Sequence, residues 1–197
     1  MFESKVKSKL KILSIDCEAR PLAWLSQDFV TKEITAIAAK FIDEDEVFCW
    51  ALGETETVDF LEKFVEVYNR ADVVTGHYLR GYDLPLINSA LVEFWLPPLN
   101  SKLTHCTKSD LINFQGVSKS QENLSAMFNL ERDKVHMSNN DWREANRLTP
   151  EGIEKTKDRV VSDIYQQIAL RQRLIDGKCL GKFKMWKSAG NSFKYNP

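Results

Sequence analysis

The order of strand-like and helix-like segments is the sequence feature that most constrains the fold of this chain. Three apolar segments come first, and the acidic turn at 43–46 separates the second from the third. The pattern then changes to a helix, a short strand and a second helix. The predicted strands are 10–17, 34–42, 47–52 and 72–76, and the predicted helices are 57–69 and 84–94. This order predicts an antiparallel meander that continues into an α/β sheet.

The second half of the chain contains one helix with clear boundaries. Thr149 is a favourable N-cap, Pro150 suits the first helical position, and the helix should run to about Ile175 before Gly177 ends it. Helical spacing directs Asp163 from this helix towards the end of the sheet. Shorter helices are predicted around 110–114, 120–128 and 141–146.

The composition argues against a membrane-spanning, secreted, disulfide-rich or zinc-binding protein. Hydrophobic residues make up 43% and charged residues 28% of the 197 residues, which is the balance of a soluble globular domain. No apolar run approaches the ~20 residues that span a bilayer, and the amino terminus lacks a secretory signal, so we expect a cytoplasmic protein without membrane contact. The four scattered cysteines argue against a disulfide framework or a zinc site.

Two acidic residues one position apart, Asp16 and Glu18, follow the apolar run of the first predicted strand. Side chains alternate along a strand, so both carboxylates point to the same face and need a cation to offset their repulsion. Asp83 and Asp163 add carboxylates from separate segments. Oxygen ligands of this kind suit Mg²⁺ or Mn²⁺, and a pair of such ions can promote phosphodiester hydrolysis. An isolated Asp-x-Glu would be weak evidence, but the set of four predicts a metal-dependent nuclease.

These segments resemble the motifs of the DEDD 3′–5′ exonucleases, the DnaQ-like superfamily with a ribonuclease-H-like fold. The first motif, Asp-x-Glu, is similar to residues 15–18, and the second to residues 77–85. Within the second motif Tyr78 stands where Asn is usual, and Tyr82 where Phe is usual. Asp163 resembles the final residue of the third motif.

The third motif departs from the family pattern at the residue that handles the attacking water. The family has Tyr four residues before the last Asp, or His five residues before it, and this chain has Arg159 and Asp158 at those positions. Arginine cannot act as a base, because its pKa lies above ~12. The resemblance thus retains the metal ligands but not the usual water-handling side chain.

The resemblance implies a fold, an activity and a set of site residues. The implied fold is a ribonuclease-H-like mixed β-sheet flanked by α-helices over residues 1–180. The implied activity is 3′–5′ exonuclease hydrolysis with two Mg²⁺ or Mn²⁺ ions. Single-stranded DNA is the favoured substrate, and RNA is the alternative. A polymerase is a possible protein partner. The implied catalytic residues and metal ligands are Asp16, Glu18, Asp83 and Asp163. Arg159, where the chain departs from the family, is a further catalytic candidate that could pair with Asp163 or donate hydrogen bonds to the scissile phosphate. The implied substrate-binding residues are Ala19, Arg20, Trp24, His77 and Tyr82.

Several of these assignments have structural alternatives. Trp24 can stack on a base or cover the edge of the sheet, and His77 is more often a hydrogen-bonded structural residue than a catalytic one. The tail 181–197 interleaves lysines with aromatic residues, which suits single-stranded nucleic acid, but its rings can equally pack back on the domain. The net charge of −1 gives no global sign of nucleic-acid binding.

Two other functions remain open at this point. An endonuclease of the same superfold uses similar carboxylates and would cut a covalently closed circle. A catalytically weak nucleic-acid-binding or polymerase-accessory module is the other alternative, and Arg159 is the residue that favours it.

Overall fold

A computed structural model describes residues 9–22, 30–130 and 135–188. In that part of the chain there are six strands and five helices. The strands are β1 (Ile12–Pro21), β2 (Lys32–Phe41), β3 (Val47–Ala51), β4 (Val73–Gly76), β5 (Lys102–Cys106) and β6 (Lys184–Trp186). The helices are α1 (Thr57–Asn69), α2 (Asp83–Glu93), α3 (Gln121–Met127), α4 (Asn139–Arg147) and α5 (Pro150–Asp176). None of these helices combines the length and apolar character needed to cross a bilayer.

The strands form one mixed sheet in the order β3-β2-β1-β4-β5-β6. The pairs β1–β2 and β2–β3 are antiparallel, which confirms the predicted meander. The strands β1, β4 and β5 are parallel neighbours, and β6 returns antiparallel to β5. This arrangement confirms the predicted α/β fold class and is consistent with a ribonuclease-H-like fold.

Strand β2 shows how the sheet buries both of its faces. Ile37 and Phe41 lie in the larger hydrophobic core, which also contains side chains of α1 and α2. Ala36 and Ala38 point to the opposite face, where they pack with Val160 of α5. The small alanine side chains allow α5 to lie close to the sheet. The backbone of α5 is therefore near β1, and a side chain of α5 can contact side chains of that strand.

The boundaries of α5 follow the local sequence signals. The Thr149 hydroxyl accepts a hydrogen bond from the Gly152 N–H at 3.1 Å, and Pro150 occupies the first turn. The helix ends at Asp176 with Gly177 as its C-cap. The predicted start and end of this helix are confirmed.

The region after α2 differs from the prediction. The predicted helix at 110–114 is wrong: the Asp110 carboxylate accepts a hydrogen bond from the Cys106 N–H at 2.8 Å, which forms a turn at the end of β5. Asn113 and Gly116 then adopt positive φ angles of 59° and 75°, which a right-handed helix does not allow. Strand β5 itself was not predicted. The predicted helices around 120–128 and 141–146 are confirmed as α3 and α4.

The described part of the C-terminal tail joins the sheet as β6. The Phe183 ring contacts His105 edge to face at 4.8 Å, and Trp186 packs against the core. The domain boundary at residue 180 stays a prediction. Residues 189–197, which include the last aromatic residues of the tail, lie outside the described residues.

Candidate metal centre

Strand β1 carries Asp16 and Glu18 on the face that α5 covers. Leu13, Ile15 and Cys17 point to the larger core on the other face, as alternation requires. The strand was expected to end at Cys17, but it continues to Pro21, so both acids lie within it. A register shift in the pairing with β2 falls between Glu18 and the next residue. Irregularities of this kind are common beside functional sites because they redirect side chains.

Helix α5 brings Asp163 to the two acids of β1. The three carboxylates offer ligand oxygens that all lie within 4.8 Å of one another, and Asp163 is 3% exposed. Carboxylate oxygens from two separate elements are the donor set that Mg²⁺ and Mn²⁺ prefer. The chemistry of these residues therefore fits a hard divalent cation.

Asp83, in the first turn of α2, lines the same cleft but is not one of the three carboxylates that lie within 4.8 Å of one another. Strand β4 pairs with β1 only as far as Ser14, so the Cys17 N–H has no strand partner on that side. This N–H donates instead to Asp83 Oδ1 at 3.2 Å, and the Cys17 thiol lies 3.4 Å from the same oxygen. Burial, with a smaller contribution from the negative charge of Glu18, raises the pKa of Asp83 to about 7.

Gln167 is a residue of the site whose role the sequence did not reveal. Its amide Nε2 donates to Asp16 Oδ1 at 2.7 Å, and its Oε1 lies 3.4 Å from the Ser14 hydroxyl. Gln167 is one helical turn after Asp163, and that spacing was the available signal. A buried amide fixed in this way orients the Asp16 carboxylate.

Arg159 forms an ion pair with Glu18 in the described structure. Its Nε donates to Glu18 Oε1 at 2.6 Å, and its Nη1 donates to the Val135 carbonyl at 2.9 Å. The guanidinium also lies 5.1 Å from the centre of the Trp142 ring. These contacts fix the position of the guanidinium beside Glu18.

The carboxylates open onto a cleft of about 370 Å³. Its wall includes Asp16, Glu18, Asp83, Asp163, His77, Tyr78, Tyr82 and Lys108. Burial, together with the negative charges nearby, raises the pKa of Tyr82 to about 12, so its hydroxyl is protonated at neutral pH. The ammonium of Lys32 lies 5.0 Å from the centre of the Tyr82 ring. Tyr82 can therefore donate a hydrogen bond but cannot act as a base at neutral pH.

His77 is half-buried at the wall of this cleft. Its Nδ1 lies 2.9 Å from the Thr107 hydroxyl, and that hydroxyl lies 3.3 Å from the Gly76 carbonyl. When Thr107 donates to the carbonyl, Nδ1 must carry the proton that completes the chain of hydrogen bonds. The ring is thus tied to the end of β4.

Two predicted substrate-binding residues after Glu18, Ala19 and Arg20, make their contacts outside the cleft. Arg20 Nε donates to Glu33 at 2.6 Å and its Nη1 to the Asn146 carbonyl at 2.8 Å. Ala19 pairs with β2 within the sheet. Among the described residues, neither is part of the cleft wall, and Trp24 lies outside the described residues.

Comparison with protein-family models and with curated protein sequences finds no match. Among solved structures, the chain is similar to the family B DNA polymerase from the hyperthermophilic archaeon Pyrobaculum calidifontis, with a TM-score of 0.67 and 14% sequence identity. The match covers 85% of this chain but only 25% of the polymerase chain. At this identity the likeness establishes a shared fold. The fold and the carboxylates together define an α/β protein of ribonuclease-H-like architecture with an acidic centre suited to divalent metal.

Proposed function

We propose that this protein is a metal-dependent 3′–5′ exonuclease that hydrolyses nucleic acid, with single-stranded DNA ends as the favoured substrate. The observation that carries the proposal is the approach of Asp16, Glu18 and Asp163 to within 4.8 Å in a cleft that also contains Asp83. The structural likeness to a DNA polymerase favours a nucleic-acid substrate. The 3′ to 5′ direction rests on the resemblance of the three motifs.

The proposed cofactor is a pair of Mg²⁺ or Mn²⁺ ions held by Asp16, Glu18, Asp83 and Asp163. Divalent ions in such a site activate water and neutralise the charge that develops on the phosphate. The protein itself supplies orientation: Gln167 fixes the Asp16 carboxylate, and Cys17 fixes Asp83. Arg159 adds a positive charge beside Glu18 that can stabilise a phosphate as negative charge accumulates.

A time course on single-stranded DNA tests this proposal directly. Strands labelled at the 3′ end and at the 5′ end are incubated with Mg²⁺ or Mn²⁺, and the products are separated by length. We expect the 3′ label to be released first as a mononucleotide while the 5′-labelled strand shortens in steps. Asp163→Asn, which removes one negative charge without changing side-chain shape, is the matched control and should be inactive.

A covalently closed single-stranded circle completes the test. An exonuclease leaves the circle intact, whereas an endonuclease cuts it. Efficient cutting of the circle by wild type and not by Asp163→Asn would replace the proposal with an endonuclease.

The second candidate is a nucleic-acid-binding module with little catalysis, working beside a polymerase. The ion pair between Arg159 and Glu18 favours it, because a guanidinium at a metal-ligand carboxylate competes with the cation. Strand binding without product at saturating Mn²⁺ would support this second candidate and exclude the exonuclease.

A further inference from the structure

One wall of the cleft is formed by two chain segments that are joined by a series of contacts. The first segment contains His77, Tyr78 and Arg80, and the second is the turn after β5 at 107–110. His77 Nδ1 lies 2.9 Å from the Thr107 hydroxyl. The next residue of each segment forms a second contact, in which the Lys108 ammonium lies 4.2 Å from the centre of the Tyr78 ring.

The third contact is a bidentate ion pair. The two terminal nitrogens of Arg80 donate to the two carboxylate oxygens of Asp110 at 3.0 and 2.5 Å. Asp110 is buried, and its carboxylate also accepts from the Cys106 N–H. A bidentate guanidinium–carboxylate pair fixes both distance and orientation. Tyr78 and Lys108 are therefore presented from a rigid support although both reach solvent.

The backbone of Tyr78 is in an unusual conformation. Its φ angle is 62°, in the left-handed region that costs energy for a residue with a large side chain. The residue is 45% exposed. Backbone strain of this kind at a cleft, in a residue that is not buried in the core, makes Tyr78 a candidate for binding.

Gly81 makes room for the Tyr78 ring. A Cβ atom at position 81 would lie 2.5 Å from ring atoms of Tyr78, so a larger residue there would push the ring away. The ring thus has Gly81 near one part of it and the Lys108 ammonium over its face. Tyr78 lines the cleft that contains Asp16 and Asp163.

We propose that Tyr78 and Lys108 bind one nucleotide of a single strand at the entrance to the acidic centre, Tyr78 by stacking on the base and Lys108 by contact with a neighbouring phosphate. This inference rests on the proposed function and deepens it by assigning a substrate subsite. An aromatic face beside a cation is the combination that binds single strands independently of sequence. The lysine also adds a positive charge to a cleft whose carboxylates would otherwise repel a phosphate.

The experiment measures binding without hydrolysis. A short oligothymidylate with a 5′ fluorescein label is titrated with protein in Ca²⁺, which takes the same oxygen ligands, and anisotropy gives the dissociation constant. A strand of the same length with abasic sites in place of the thymidines separates stacking from phosphate contact.

Tyr78→Asn is the main variant, because asparagine tolerates the left-handed conformation and has no ring. We expect it to weaken oligothymidylate binding by about tenfold and to leave binding of the abasic strand unchanged. Tyr78→Phe keeps the ring and should bind both strands like wild type. Gly81→Ala displaces the ring. It should therefore weaken oligothymidylate binding, although less than Tyr78→Asn does, and leave binding of the abasic strand unchanged.

Lys108→Met should weaken binding of both strands. It should also reduce the slope of log affinity against log salt concentration by the amount expected for about one phosphate contact. Lys63→Met is the matched control, because Lys63 is an exposed lysine of α1 outside the cleft wall, and its binding should equal that of wild type. Equal binding of oligothymidylate by Tyr78→Asn and wild type would overturn the stacking assignment. An unchanged salt dependence in Lys108→Met would overturn the phosphate contact.

The labelled-strand time course keeps this inference distinct from the proposed function. If wild type binds strands but releases no product, and Tyr78→Asn shows the selective loss, the subsite stands and the exonuclease proposal fails. If wild type hydrolyses DNA and Tyr78→Asn binds oligothymidylate like wild type, the exonuclease proposal stands and the subsite fails.

Discussion

The ion pair between Arg159 and Glu18 leads to a prediction about metal affinity. Arg159→Gln removes the guanidinium and leaves the Glu18 carboxylate without its positive partner beside Asp16. A cluster with one more net negative charge binds a divalent cation more tightly. We therefore expect this variant to bind Mn²⁺ more tightly than wild type while hydrolysing DNA more slowly, because the stabilising charge near the phosphate is lost.

The size of the effect follows from the geometry of the pair. Arg159 Nε and Glu18 Oε1 are 2.6 Å apart, and the two side chains are 15% and 17% exposed. Unit charges at that separation attract each other by about 1.6 kcal/mol at the dielectric constant of water and by about 6 kcal/mol at an effective value of 20. Desolvation of the two charges offsets part of this attraction, so the net effect is closer to the smaller figure. Because 1.4 kcal/mol corresponds to a factor of ten, Mn²⁺ affinity should rise by about tenfold.

Isothermal titration calorimetry with Mn²⁺ at neutral pH measures the affinity, and the labelled-strand assay at saturating Mn²⁺ measures the rate. Arg159→Lys keeps the charge and should bind Mn²⁺ like wild type. Arg159→Tyr introduces the tyrosine found at this position in the exonucleases that the sequence motifs resemble, and should keep or increase the rate of hydrolysis. If Arg159→Gln binds Mn²⁺ no more tightly than wild type, the competition between guanidinium and metal does not exist and the reasoning is refuted.

Three further predictions concern the acids and their partners. Asp83 has a pKa of about 7 in the folded protein against an ordinary 3.8, so without metal the protein loses stability as pH rises from about 4 to about 7, by at most about 4 kcal/mol in all, and the loss levels off above that pH. Thermal melting in EDTA should show this loss in wild type and not in Asp83→Asn. Gln167→Leu removes the donor to Asp16 and should weaken Mn²⁺ binding by about tenfold in calorimetry. Asp16→Ala should abolish hydrolysis and the rise in melting temperature that Mn²⁺ gives wild type, without melting lower than wild type in EDTA; a variant that digests DNA at the wild-type rate would contradict the metal-site assignment.

Local signals in the sequence determined which parts of the fold could be predicted. The period of two along β1 places Asp16 and Glu18 on one face, and the structure has both on the face covered by α5. The ends of α5 depend on Thr149 and Gly177, whose capping effects act within one turn. Predictions of this kind need no knowledge of the rest of the chain, and they held.

Features that depend on distant segments could not be predicted from local patterns. Strands β5 and β6 are short, and each depends on a neighbour far away in the sequence. The Cys17 N–H is available to Asp83 because β4 ends at Gly76. The residues near Cys17 contain no signal of where β4 ends. The contact between Tyr78 and Lys108 likewise depends on the ion pair of Arg80 with Asp110 across 30 positions of sequence.

The acidic residues of this centre are compensated by different chemical means within the protein. Asp16 accepts from a neutral amide, Glu18 is paired with a guanidinium, and Asp83 is held by a backbone N–H with a pKa that burial has raised to about 7. A divalent cation must compete with the guanidinium at Glu18 and with a proton at Asp83, whereas the amide at Asp16 can remain in place and orient the ligand. In the proposed metal site, Arg159 and pH would therefore change the metal affinity through separate carboxylates. The two competitors act on different residues. Metal binding by a variant without the guanidinium should therefore keep the pH dependence that Asp83 confers.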